Sequence, residues 1–142
     1  MRSYIDRVTR KFTINKMDLI LKTNLGPIVN VEVDDDTLIL SFKKHKLIGD
    51  VTADCCSYSY LRYYNDLTSA IGKVISNIKH DYLESSDTKA DYKYHDPGTF
   101  NYYSYHHYTF VFQDASESSL ELVNESNGYY DGWIEFHLNS IP

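Results

Sequence analysis

The sequence predicts an α+β fold built mainly from an antiparallel sheet of about six or seven strands with one or two short helices. Two observations support this prediction. The chain has 142 residues, which is enough for one hydrophobic core and too few for two ordinary domains. Its apolar residues alternate with polar ones in short runs separated by turn residues, as in half-buried strands. We therefore expect a single domain over residues 1–142.

The first clear elements form a predicted hairpin over residues 28–43. Leu38, Leu40 and Phe42 share one face of a strand, and Asp34 to Asp36 form the turn before it. Three aspartates could also bind a divalent cation. No glycine or further ligand follows at the spacing of a calcium loop, however, so a solvated turn is the preferred interpretation.

The stretch from residue 67 to residue 82 allows two interpretations. Its apolar residues fall on one helical stripe: Leu67, Ala70, Ile71, Val74, Ile75, Ile78 and Tyr82. Gly72 interrupts that stripe, and residues 74–78 are rich in β-branched side chains, which favour strands. Periodicity favours one helix over 67–82, and the alternative is a short helix that ends near Gly72 and is followed by a strand.

The last third of the chain combines a loop with a β region. Residues 84–99 are polar and contain Asp96-Pro97-Gly98, so they predict a long surface loop. From Phe100 onwards the pattern is β, with Tyr108, Phe110 and Phe112 on one strand face. Together with a strand around Leu120 and another from Trp133, this region predicts a three-stranded antiparallel meander.

The charge distribution argues against a nucleic-acid partner. The basic N-terminal segment, residues 1–26, carries six Lys or Arg and two Asp or Glu, whereas residues 94–142 carry seven Asp or Glu and no Lys or Arg. Phosphate backbones need basic contacts. A single-stranded nucleic-acid binder would have to use basic residues of the first half, namely Arg2, Arg7, Arg10, Lys11, Lys43, Lys44 and Lys46.

The compartment is predicted from what the sequence lacks. No apolar run has the length of a membrane span, and the N-terminus is charged where a signal peptide is apolar. The two cysteines, Cys55 and Cys56, are adjacent, and a disulfide between neighbours is strained, so two reduced thiols are expected. We expect a cytoplasmic protein with no membrane partner and no cofactor.

Two clusters could carry chemistry. In Asp54-Cys55-Cys56-Ser57, either cysteine could act as a nucleophile or metal ligand, with Asp54 orienting a histidine. The alternative is a purely structural role, with one cysteine in the core and the other on the opposite strand face. His106 and His107 point to opposite faces of a strand, so only one of them could join His137 and a cysteine at a zinc ion. The spacing matches no zinc motif.

The candidate binding surface is aromatic. Nine of the 21 Phe, Tyr and Trp residues lie between Tyr92 and Phe112. Near the C-terminus, Asn-Gly and Asp-Gly pairs, which favour positive φ, flank two tyrosines and precede the lone tryptophan. The predicted binding residues are Asn127, Tyr129, Tyr130, Asp131 and Trp133. Tyrosine is enriched at protein interfaces, so a noncatalytic module with a protein partner is preferred to the small cysteine-dependent or metal-dependent enzyme.

Three segments carry a resemblance: Ile48-Gly49-Asp50 running into Asp54-Cys55-Cys56-Ser57, then Ile71-Gly72-Lys73, and last Ser126 to Glu135. Over residues 48–138 the chain resembles an uncharacterised family of small phage, bacterial and large-DNA-virus proteins with DCCS, IGK and SNGYYGG-type segments. Asp131 stands where that family often has glycine. The resemblance implies a strand after Ile71-Gly72-Lys73, hence a short helix over about residues 66–72. We also expect the Asp54 segment and the C-terminal segment to be adjacent in the fold.

Overall fold

Two four-stranded antiparallel sheets form the protein. The computed structural model describes residues 20–55, 57–85, 102–126 and 131–141. Their strands, in chain order, are β1 (Asn30–Val33), β2 (Thr37–Ser41), β3 (His45–Ala53), β4 (Tyr58–Arg62), β5 (Ile75–Ser85), β6 (Tyr102–Phe112), β7 (Glu117–Ser126) and β8 (Gly132–Ser140). A six-residue 3₁₀ helix, Asn65–Ala70, lies between β4 and β5.

The strand order is β1-β2-β3-β8 in the first sheet and β4-β7-β6-β5 in the second. The antiparallel architecture is confirmed, but the described residues form eight strands in two sheets instead of one sheet of about six or seven. The balance is mainly β and not α+β. The physical reason is that each sheet has an apolar face to cover, and among the described residues the other sheet provides most of that cover.

The predicted hairpin near the N-terminus is confirmed. Strands β1 and β2 pair antiparallel, with Val33 opposite Leu38. Asp34 Oδ1 accepts hydrogen bonds from the backbone N–H groups of Asp36 (2.8 Å) and Thr37 (2.9 Å). The acidic turn therefore stabilises its own backbone through a local side-chain contact.

The helical stripe over residues 67–82 does not form a single helix. After the 3₁₀ helix the chain turns at Gly72, where φ is +90°, and continues into β5. Gly72 N–H donates to the carbonyl of Ile28 (2.8 Å), and Ile28 N–H donates to the carbonyl of Lys73 (2.9 Å). The short helix followed by a strand is confirmed, because pairing with β6 outweighs the helical periodicity.

The C-terminal strand does not complete a meander. Strands β6 and β7 pair as predicted, but β8 leaves them and pairs with β3 in the first sheet, from His45 opposite Ser140 to Ala53 opposite Gly132. The three-stranded meander was therefore wrong. β3 would otherwise present an unpaired edge, and β8 satisfies its backbone groups along the whole strand.

The core lies between the two sheets. Leu38, Leu40 and Phe42 are buried in one cluster with Tyr108, Phe110 and Phe112, and each set of three shares one face, as the alternation predicted. The rings of Tyr108 and Phe136 meet edge to face with centres 5.9 Å apart. A smaller cluster of Tyr60, Tyr103 and Val123 lies on the other face of the second sheet.

Several predictions fall partly outside the described residues. Glu84 and Ser85, placed at the start of the predicted surface loop, end β5 instead. Residues 86–101 of that region and residues 1–19 of the basic N-terminal segment are not among the described residues. Within the part of the chain that the structure describes, no helix has the length and apolar character needed to cross a membrane.

Candidate functional site

The Asp54 segment and the C-terminal segment are in direct contact, as expected. Asp54 N–H donates to the carbonyl of Asp131 (2.8 Å), and Asp131 N–H donates to Asp54 Oδ2 (3.1 Å). Ser57 Oγ donates to the same Asp131 carbonyl (3.3 Å). These bonds join residues 74 and 77 positions apart in the sequence and fix the position where β8 begins.

The Asp131 carboxylate is buried, with an exposed fraction of 0%. Its Oδ1 atom accepts hydrogen bonds from Ser104 Oγ and from the backbone N–H of Gly132, both at 2.8 Å. His106 Nε2 lies 3.4 Å from the same oxygen. A buried carboxylate is tolerated only where donors replace its water, and the inner face of β6 supplies two of them.

A second histidine extends this cluster. His80 Nε2 lies 2.7 Å from His106 Nδ1, and the two rings are nearly parallel (8°) with centres 5.0 Å apart. Those values fit coplanar rings that meet nitrogen to nitrogen, so the contact is an in-plane hydrogen bond and not a face-to-face stack. The half-buried His80 ring lies against Tyr108, with centres 4.7 Å apart. We call these groups the His80–His106–Asp131 chain.

Gly132 allows the two sheets to approach next to this chain. A Cβ atom at Gly132 would lie 1.8 Å from Ser59 Oγ and 2.7 Å from Ser59 Cβ. Among the described glycines, only Gly26 and Gly72 have positive φ, so the turn geometry expected for the Asp-Gly pair is wrong. Gly132 is needed for space and not for its backbone angles.

The structure separates the residues of the enzyme hypothesis. Cys55 is exposed, and Cys56 lies outside the described residues. Asp54 binds the Asp131 backbone, and the carboxylates that lie near histidine rings among the described residues are those of Asp131, beside His106, and Asp50, beside His137. The hypothesis that Asp54 orients a histidine beside a cysteine therefore gains no support from this geometry.

The predicted zinc ligands are also separated in the structure. His106 is buried between the sheets, while His107 and His137 are exposed on outer faces. Across residues 20–55, 57–85, 102–126 and 131–141, no three or more His, Cys, Asp or Glu side chains are grouped so that they could hold a metal ion.

The predicted binding residues divide into two groups. Asn127, Tyr129 and Tyr130 lie outside the described residues. Asp131 and Trp133 are buried, with exposed fractions of 0% and 8%, and the Trp133 indole N–H donates to Glu135 Oε1 (2.6 Å). The two described members therefore lie inside the protein at the start of β8.

A second candidate surface lies on the outer face of the second sheet. A groove of about 330 Å³ is lined by Arg62, Asp81, Tyr82, Tyr105, His107 and Glu121, and we call it the outer groove. Strand register places Arg62, Glu121, His107 and Asp81 in one row across β4, β7, β6 and β5. Sequence reasoning missed this row, because no local pattern reveals which strands are neighbours.

Arg62 lies beside a carboxylate and two aromatic rings in the outer groove. Its Nε lies 3.3 Å from Glu121 Oε2, and its guanidinium carbon lies 4.6 Å and 5.6 Å from the ring centres of Tyr63 and Tyr105. Tyr63 is 67% exposed and has a φ of +58°, a left-handed conformation that a bulky residue rarely adopts. Such strain is often found at functional positions.

The fold and the site define a class: an antiparallel two-sheet protein whose sheets are joined by a buried aspartate and two histidines. The chain belongs to the family described as "Domain of unknown function (DUF7448)", whose model matches residues 8–136. It is 35% identical over 100 residues to "Uncharacterized protein L278" of Acanthamoeba polyphaga mimivirus, covering 66% of this chain and 69% of that one. The family thus has a large-DNA-virus member. No solved structure matches the chain.

Proposed function

We propose that the protein is a noncatalytic protein-binding module and that the outer groove is its main contact surface. The observation that carries this proposal is the position of the Arg62 guanidinium between the rings of Tyr63 and Tyr105. Arginine and tyrosine are enriched, together with tryptophan, at the energetic centre of protein interfaces, and tyrosine buries a large area at a small entropic cost. An exposed, conformationally strained tyrosine beside a groove fits the same role.

The charges of the outer groove favour a cationic partner. Glu121 neutralises Arg62, so the Asp81 carboxylate at the other end of the row leaves the groove with negative charge. The whole chain has a net charge of −6. We propose that the occupant is a polypeptide segment in which a lysine or arginine lies next to an aromatic or apolar side chain. Its cation would approach Asp81 while its apolar neighbour contacts Tyr105.

The loop before β8 extends this proposal. Asn127, Tyr129 and Tyr130 would add contacts of their own, next to the buried Asp131 and Trp133. The mimivirus relative supports a connection with large DNA viruses, and we propose a role as a viral accessory protein in the cytoplasm of the host cell.

A peptide titration followed by NMR tests the outer groove. The probes are a short synthetic peptide of alternating lysine and tyrosine and the same peptide with glutamate for each lysine. We expect the lysine peptide to bind and to shift the backbone resonances of Arg62, Tyr105 and His107. Asp81→Asn should weaken that binding about fivefold, which corresponds to roughly 1 kcal/mol.

The matched control is Glu32→Gln, which removes an exposed carboxylate from β1 of the other sheet and should leave binding unchanged. Equal binding of the two peptides would contradict the proposal, as would shifts confined to residues outside the outer groove. Resonances that move with protein concentration alone would also overturn it, because they would mark a contact between copies of the chain.

A further inference from the structure

The His80–His106–Asp131 chain is not used by the proposed binding surface. His106 and His80 lie on the inner face of the second sheet, whereas His107, one residue further along β6, faces the outer groove. The His80–His106–Asp131 chain nevertheless connects the edge strand β5 with the start of β8 in the other sheet. Proton binding by its side chains can therefore change how the two sheets are joined.

The number of protons that the His80–His106–Asp131 chain can hold follows from its geometry. A contact of 2.7 Å between His80 Nε2 and His106 Nδ1 has room for one hydrogen. With both rings neutral, His106 donates through Nε2 to Asp131 and accepts from His80 through Nδ1. With one added proton, His106 is an imidazolium that donates to both neighbours. The contact survives in either state.

A second added proton cannot be accommodated in the same arrangement. Both facing nitrogens would then carry hydrogen, and two positive rings would be in contact. The ionisation of the two rings is thus coupled and belongs to the pair, not to either ring. We propose that the His80–His106–Asp131 chain is a pH-sensitive clasp between the two sheets, closed with at most one positive charge on the ring pair and opened by the second proton.

The described residues around the ring pair leave this restriction in place. Tyr82 of β5 meets His106 edge-on with ring centres 4.6 Å apart, and Tyr108 of β6 lies against His80. Both phenols are neutral at the pH values concerned. Among the described residues, the acids next to the ring pair are Asp131 and Asp54, which binds the Asp131 backbone, while the charge of Glu135 acts on the Tyr108 hydroxyl. These acids favour the first proton, and none lies between the rings to separate a second.

The linkage between protons and folding gives the test. Below the ordinary histidine pKa of about 6.5 the two unfolded rings bind two protons and the native pair binds one, so stability falls as pH falls. Because the unfolded state binds one proton more than the native state, the unfolding constant rises about tenfold for each unit by which the pH falls. Denaturant unfolding at pH 6 and pH 5 should therefore show this rise in the wild type. In His80→Gln it should be about tenfold smaller, because the remaining ring binds one proton in both states.

His107→Gln is the matched control, since it removes an exposed histidine from the neighbouring strand β6, next to His106, and should keep the wild-type rise. Imidazole ¹⁵N NMR of the unaltered protein gives a second measurement that does not depend on a variant that folds. At pH 5 the native protein should show a single positive charge shared by the His80 and His106 rings. The proposal is overturned if both rings are charged in the intact native fold, or if His80→Gln retains the wild-type pH dependence.

Discussion

Replacing Gly132 with alanine tests how closely the two sheets are packed at the start of β8. The new Cβ would lie 1.8 Å from Ser59 Oγ, 2.7 Å from Ser59 Cβ and 3.2 Å from the carbonyl of Thr52. Rotation of the serine hydroxyl relieves the first contact but not the second, since Cβ is fixed to the β4 backbone. Rotation would also break the 2.8 Å hydrogen bond from Ser59 Oγ to Asn124 Oδ1.

The cost follows from these two effects. Overpacking of a filled site costs about 1–3 kcal/mol, and loss of a buried hydrogen bond about 1–3 kcal/mol more. We expect Gly132→Ala to lower the free energy of unfolding by about 3 kcal/mol, a change of over 100-fold in the folding equilibrium. Urea unfolding followed by the fluorescence of the buried Trp133 measures this directly.

A double-mutant cycle identifies the cause. Ser59→Gly removes the clashing atoms, so it should couple to Gly132→Ala by about 2 kcal/mol. Gly72→Ala is the control: its φ of +90° makes it costly, by about 1–2 kcal/mol, but nothing lies within 4 Å of its Cβ. It should show no coupling to Ser59→Gly. A loss below 1 kcal/mol for Gly132→Ala, or equal coupling for both glycines, would refute the packing argument.

Three further outcomes are expected. Asp131→Asn should lower the free energy of unfolding by about 1–3 kcal/mol, because the buried donors around this side chain lose their charged acceptor. Hydrogen bonds from Ser116 lower the pKa of Asp114, so its contribution to stability is present above the ordinary aspartate value and is lost as pH falls through the lowered one. Burial raises the pKa of Tyr108, so native stability should fall above about pH 10, where the unfolded phenol ionises.

Matched variants check each of these outcomes. Asp81→Asn, at an exposed position, should change the free energy of unfolding by less than about 0.5 kcal/mol at pH 7. In Asp114→Asn, thermal unfolding between pH 2 and pH 5 should depend less steeply on pH than in the wild type. In Tyr108→Phe, the loss of stability above pH 10 should be smaller. A variant whose pH dependence equals that of the wild type would contradict the assigned shift.

The strands themselves could be predicted because their signal is local. Alternation of side chains along a strand placed Phe110 and Phe112 in the core, and the same rule separated His106 from His107. The stretch around Gly72 was ambiguous because helical periodicity and β-branched residues pointed to different elements there. Only pairing with β6 decided it, and such pairing depends on residues far away in the sequence.

The sequence by itself determined the antiparallel β character, the polarity of each strand face and the two segments that meet at Asp131. The tertiary structure decided which strands are neighbours, and with them the row in the outer groove and the contact between His80 and His106. It also shows why position 132 needs glycine: the backbone packs closely against Ser59, and no turn conformation is involved. Alternation repeats every two residues and is visible in any short segment, whereas a register between distant strands is set by the burial of both faces together.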